Sequence, residues 1–267
     1  MMALAIQALD PPWSTQLQAL QERVSNCGGY PAQVDHAKAS WSRKPPELFG
    51  ELKARLAAMC SGIRRCAYCE DSLADEIEHM RPKDLFPEET YVWNNYVLAC
   101  GPCNGPKNNQ FAVLAEDGAL TDISRRRGQP VVAPATGIHA LIDPRAEDPL
   151  ELLWLDFKTW RFSPNADDEQ SPAFKRAEYT IDVLRLNRRD DLVRGRRVAF
   201  SGFEARLRMW VAESAGWDAA RRRAFVEDFR GERFQGVWQR MKRHCRDVSA
   251  LAPIAELMEA APEATFW

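Results

Sequence analysis

The stretches C-A-Y-C-E at 66–70 and I-E-H-M-R-P-K-D-L-F-P-E-E-T-Y-V-W-N-N-Y-V-L-A-C-G-P-C-N-G-P-K-N-N at 77–109 decide what this chain can be. They hold two C-x2-C pairs, Cys66 with Cys69 and Cys100 with Cys103, separated by 30 residues. A C-x2-C knuckle bends the backbone so that both thiolates face one ion, and four soft ligands suit tetrahedral Zn2+. The block from Cys66 to about Phe111 is rich in Asn, Pro, Gly and Cys and poor in long periodic apolar runs. It cannot bury much surface unaided, and a structural Zn2+ held by Cys66, Cys69, Cys100 and Cys103 solves that problem. Thiol redox chemistry is the competing reading; it normally uses one C-x2-C pair on a thioredoxin-like βαβ pattern, which this sequence lacks.

A closed tetrathiolate site is structural, so a non-catalytic zinc module that docks nucleic acid or a partner protein stays open on the cysteines alone. The residues between and beside the knuckles point further. His79 follows Glu78, Asn95 precedes the second pair, and Asn104 follows Cys103. These are the hard or borderline groups a phosphodiester hydrolase needs. Among four histidines, His36, His139 and His244 lack such neighbours, and a neutral imidazole with an ordinary pKa near 6.5 accepts a proton at pH 7. Adjacent strand residues point to opposite sides, so Glu78 and His79 reach one phosphate only if the strand is twisted or the substrate wraps around its end. If Asn104 opens a helix, Pro106 sits in its first turn and Lys107 lies on the same face, where a lysine meets a phosphate. Arg81 and Lys83 can contact backbone phosphates without reading sequence, or be simply solvated.

E-H, then W-x-N, then C-x2-C-N-x2-K resembles the ββα-metal motif of zinc-stapled HNH endonucleases, its three letters falling on His79, Asn95 and Asn104. The resemblance implies a catalytic Mg2+ or Mn2+ held by Glu78 and Asn104, with His79 as general base and Asn95 orienting its imidazole. Asn94 rivals Asn95 for that place, and Tyr96 stands where an aliphatic residue is more usual. The likeness continues through L-I-D-P-R-A-E-D-P-L-E-L-L at 141–153 and A-E-Y-T-I-D-V-L-R-L-N-R-R-D-D-L-V-R-G-R-R at 177–197. Together with the C-A-Y-C-E entry these segments are similar to the HNH nuclease found with retrons and in Septu antiphage systems. That implies an effector nuclease that degrades DNA with a separate ATPase partner subunit. An RNase or tRNA-cutting toxin with the same residues stays open, because such a site does not address a 2′-OH.

Around this centre the sequence predicts an α+β, mainly helical protein: a ββα-metal (HNH) core with a four-cysteine zinc site, flanked by N-terminal helices and a C-terminal helical region. The 267 residues divide into an N-terminal helical segment (1–60), the nuclease core (61–127) and a mainly helical C-terminal region with a short hairpin (128–267). Apolar spacing predicts helices over 46–59, 174–186, 192–211, 219–229 and 234–248, a hairpin over 150–164 and a loop over 128–137. A net charge of -2 with pI near 6.2 argues against coating nucleic acid by bulk charge. Residues 185–246, however, carry 17 Arg and Lys against 8 Asp and Glu, a polarisation that can hold a polyanion at one face. No stretch approaches the roughly 20 apolar residues of a membrane span, and the opening M-M-A-L-A-I-Q-A-L-D-P-P-W lacks the features of a signal peptide. The expectation is a cytoplasmic protein without membrane contact, in which cysteines stay out of disulfides.

Overall fold

A proline at the first turn and apolar residues at every third or fourth place make α3 (Pro46–Ala58) bury Leu48, Phe49, Leu52 and Leu56, as the spacing predicts. The computed structural model describes residues 1–60, 64–71 and 73–267, so the boundary drawn at residue 61 lies outside the described residues. Ahead of α3 stand α1 (Trp13–Ser25) and α2 (Tyr30–Trp41). Each buries only two residues, Leu17 and Val24 or Val34 and Ala37, which is why their periodicity is faint in the sequence.

α3 packs on the centre of the molecule. There β1 (Glu76–His79) and β2 (Tyr96–Ala99) pair antiparallel, with Glu76 opposite Ala99 and His79 opposite Tyr96, and α4 (Gly101–Lys107) follows at once. Strand, strand and short helix make the expected ββα unit within an α+β protein. One detail differs. The Cys103 and Asn104 N–H groups donate to the Cys100 carbonyl at 3.0 and 2.9 Å, so the second knuckle is itself the first helical turn. Asn104 therefore lies mid-helix, Pro106 sits near the end instead of in the first turn, and the helix stops at Lys107, where Asn108 takes φ +39°.

Beyond α4, a small sheet of order β4-β3-β5 forms from β3 (Ala112–Leu114), β4 (Leu120–Asp122) and β5 (Ile138–His139). The Pro- and Ala-rich stretch before β5 is irregular, as read from sequence. Gly137 lets β5 close on β3, since a Cβ there would stand 2.3 Å from the Leu114 carbonyl oxygen. A short α5 (Pro149–Leu152) leads into the expected hairpin, β6 (Leu153–Leu155) with β7 (Phe162–Pro164). The C-terminal helices are α6 (Pro172–Val183), α7 (Asp190–Glu213), α8 (Ala219–Arg230), α9 (Gln235–His244) and α10 (Ala252–Ala260).

Part of the basic excess is structural. Arg196 and Arg240 are buried, and their guanidinium groups lie 4.2 and 4.9 Å from the Phe162 ring. α9 is pinned behind the first knuckle: the Gly236 N–H donates to Glu70 at 2.8 Å, and a Cβ at 236 would stand 2.6 Å from that carboxylate. One apolar cluster runs from the N-terminal helices through the ββα unit to α10. No described helix is long and apolar enough to cross a membrane.

His139 packs between Phe86 and Phe111, with ring centroids 5.6 and 5.2 Å away. Burial first, then Arg81 and Arg176, lower its pKa to about 4. The unfolded chain binds this proton near pH 6.5 and the native chain only near pH 4, so stability falls as pH drops through that window. Thermal melts from pH 7 to 4 should show a shallower decline for His139→Phe than for the wild type; identical slopes would refute the assignment.

Candidate active site

The four knuckle sulfurs lie within 4.8 Å of one another and all four residues are buried. Cys69 Sγ and Cys100 Sγ are 3.8 Å apart, which matches the edge of a tetrahedron with Zn–S bonds of about 2.3 Å. Burial pushes the Cys66 thiol well above its ordinary pKa, and hydrogen bonding to Cys100 pushes Cys103 up while drawing Cys100 down. A metal ion bound among such sulfurs displaces their protons. The donor set fits structural zinc. Arg189 Nη1 donates to Cys103 Sγ at 3.5 Å, placing a positive charge beside the thiolate cluster.

The residues next to the knuckles open onto a polar cleft of about 130 Å³ lined by Glu78, His79, Lys83, Asn104, Asn108 and Trp41. Glu78 and His79, neighbours on β1, both line it. Asn104 Nδ2 donates to Glu76 Oε2 at 2.6 Å. An amide whose nitrogen faces a carboxylate turns its carbonyl oxygen the other way, and with the Glu78 carboxylate this gives two oxygen donors of the kind Mg2+ or Mn2+ takes. The donor set fits a hard divalent ion.

His79 is buried, and its Nε2 lies 2.9 Å from the Thr90 carbonyl oxygen. A carbonyl only accepts, so Nε2 carries the proton and Nδ1 keeps the lone pair. Burial, then Lys83, lowers the imidazole pKa to about 3 against the opposing pull of the Thr90 bond. The ring is neutral at pH 7, but it takes up a proton far less readily than the ordinary imidazole of the sequence expectation, because the buried site disfavours its charged form.

Three expectations are corrected by placement. Asn95 does not touch the imidazole: its Oδ1 accepts from Arg81 N at 2.8 Å and its Nδ2 donates to the Arg81 and Glu89 carbonyls at 2.9 and 3.0 Å. As the last residue of a 3-10 turn at Trp93–Asn95, it laces the mouth of the loop that carries Thr90. Lys107 is fully buried and does not face a phosphate; its ammonium donates to Glu78 Oε1 at 2.5 Å and to the His79 carbonyl at 2.8 Å. Lys107 is the last residue of α4 and turns in against β1, where a buried ammonium needs a carboxylate. Arg81 pairs with Glu89 and lines a different cavity, with Phe111 and His139. Lys83 alone of the expected phosphate contacts lines the cleft.

Residues 66–110 match the family model described as HNH endonuclease. This segment is an HNH endonuclease domain. The cleft residues Glu78, His79 and Asn104 and all four cysteines fall inside it. The chain is also similar to the Septu protein PtuB of Bacillus thuringiensis, 34% identical over 65 residues, a match that takes in 22% of this chain and 25% of that protein. The aligned part thus spans about a quarter of that relative's length.

Sequence reasoning missed the Thr90 carbonyl, since a main-chain acceptor leaves no residue-type signal, and it missed Trp41, which enters the HNH cleft from α2. Cys66→Ser or Cys103→Ser should release zinc and unfold the HNH domain, because ion binding and folding are coupled in such sites. Zinc content and circular dichroism test this; a metal-free variant with native spectrum and melting would contradict it.

Proposed function

We propose that this chain is a metal-dependent HNH endonuclease that hydrolyses phosphodiester bonds in DNA, acting in the cytoplasm as the effector nuclease of an antiphage defence system with an ATPase subunit. The observation that carries the reading is the convergence of Glu78, His79 and Asn104 on one cleft of the HNH domain. The likeness to a Septu protein supports the defence role and the involvement of a partner. The domain division proposed is a nuclease core over 61–127 between an N-terminal helical segment and a C-terminal helical region.

Glu78 and Asn104 would hold the divalent ion in this reading, which when bound would supply positive charge against the negative charge developing on the phosphate. His79, with Nε2–H directed at Thr90, presents Nδ1 as the base that takes a proton from the attacking water. Lys83 holds phosphate at the rim of the cleft. Asn95 positions the base through the loop, and Lys107 keeps the buried Glu78 carboxylate ionised beside it despite the burial that raises its pKa.

His79→Ala should lower Mg2+-dependent cleavage of plasmid DNA by about 10²-fold or more, the range of general-base catalysis. Zinc content and melting temperature should stay at wild-type values. Full activity in that variant overturns the assignment of the base; cleavage of RNA with no cleavage of DNA overturns the substrate.

A further inference from the structure

The cleft has a wall that comes from outside the HNH domain. Trp41, the last residue of α2, lines it with its ring centroid 4.2 Å from that of the His79 imidazole. Two ammonium groups gather over the same indole. Lys44 Nζ lies 5.0 Å from the ring centroid and Lys83 Nζ 5.6 Å, both within cation–π range. Nearby lysines are matched by carboxylates, Lys38 by Asp84 and Lys107 by Glu78. Among the described residues, neither Lys44 nor Lys83 has a carboxylate within ion-pair distance.

Two like charges held together at a half-buried polar cleft repel each other and are poorly hydrated. Burial lowers the pKa of Lys83 against the opposing pull of Glu78 and Asp84. An aromatic face offsets part of the cost without neutralising either charge, so the pair stays open to an anion from solution. A phosphodiester chain supplies several in a row, one per nucleotide.

We propose that Trp41, Lys44 and Lys83 form an anion grip for the phosphodiesters flanking the one that is cut, with Trp41 as the positioning residue that holds both ammonium groups beside His79. The proposal rests on the nuclease reading above. It gives the N-terminal helices a direct part in substrate binding, beyond packing on the core.

Binding of duplex DNA by the full chain, carrying His79→Ala so that nothing is cut, tests the grip as a function of salt. The slope of log Kd against log salt should fall by about 1 for Lys44→Met, by about 1 for Lys83→Met and by about 2 for Trp41→Leu. Lys44→Arg should restore the slope, which a merely structural role would not require. Melting temperature and zinc content show whether Trp41→Leu folds, and Lys44→Met, a change at a partly exposed position, keeps the test decisive if it does not. An unchanged slope in Lys44→Met, in a protein whose His79-intact form cleaves DNA, overturns the grip and leaves the nuclease reading standing. A wild-type chain that neither binds nor cleaves nucleic acid overturns both.

Discussion

Four sulfurs brought within one coordination sphere hold the centre of this molecule together. β1 and β2 are four residues each, and a two-stranded hairpin of that length is marginal in water. Closing a 30-residue interval is a modest entropic cost that one strongly bound ion outweighs. The working residues lie next to the staple. Asn104 follows Cys103, and Glu78 and His79 pair with Val97 and Tyr96, just ahead of Cys100. Geometry at the cleft is therefore inherited from geometry at the sulfurs.

A second constraint is electrostatic. Glu78 and Lys107 meet in the interior, and the ammonium also bonds the His79 carbonyl. Removing either partner leaves an uncompensated buried charge, so the pair fixes the end of β1 against α4 as firmly as an apolar contact would. Arg196 and Arg240 play a comparable structural part in the C-terminal region, where their guanidinium groups pack over Phe162. These two of the 17 basic residues over 185–246 are thereby withdrawn from the surface.

The sequence made the ββα unit, the four-cysteine cluster and the C-terminal helices legible, because each has a period or spacing that physics reads directly. α6 starts two residues earlier than its apolar pattern predicts, at Pro172, where Ser171 caps it. The convergence of Glu78, His79 and Asn104 was legible from the motif. The placement of Asn95 and Lys107 was not: both are polar side chains buried at the end of a short element, a 3-10 turn and a seven-residue helix, that no periodicity reports. Residue type identified the players, while the backbone between them decided which way they face. β3, β4 and β5 were illegible for a simpler reason, being two or three residues long.

The imidazole's tautomer is set by a main-chain oxygen. The Thr90 carbonyl accepts from His79 Nε2 and also from the Tyr96 hydroxyl, at 2.9 and 2.6 Å. No side-chain replacement at position 90 deletes that oxygen, so a scan by single alanine changes passes over the group that orients the imidazole.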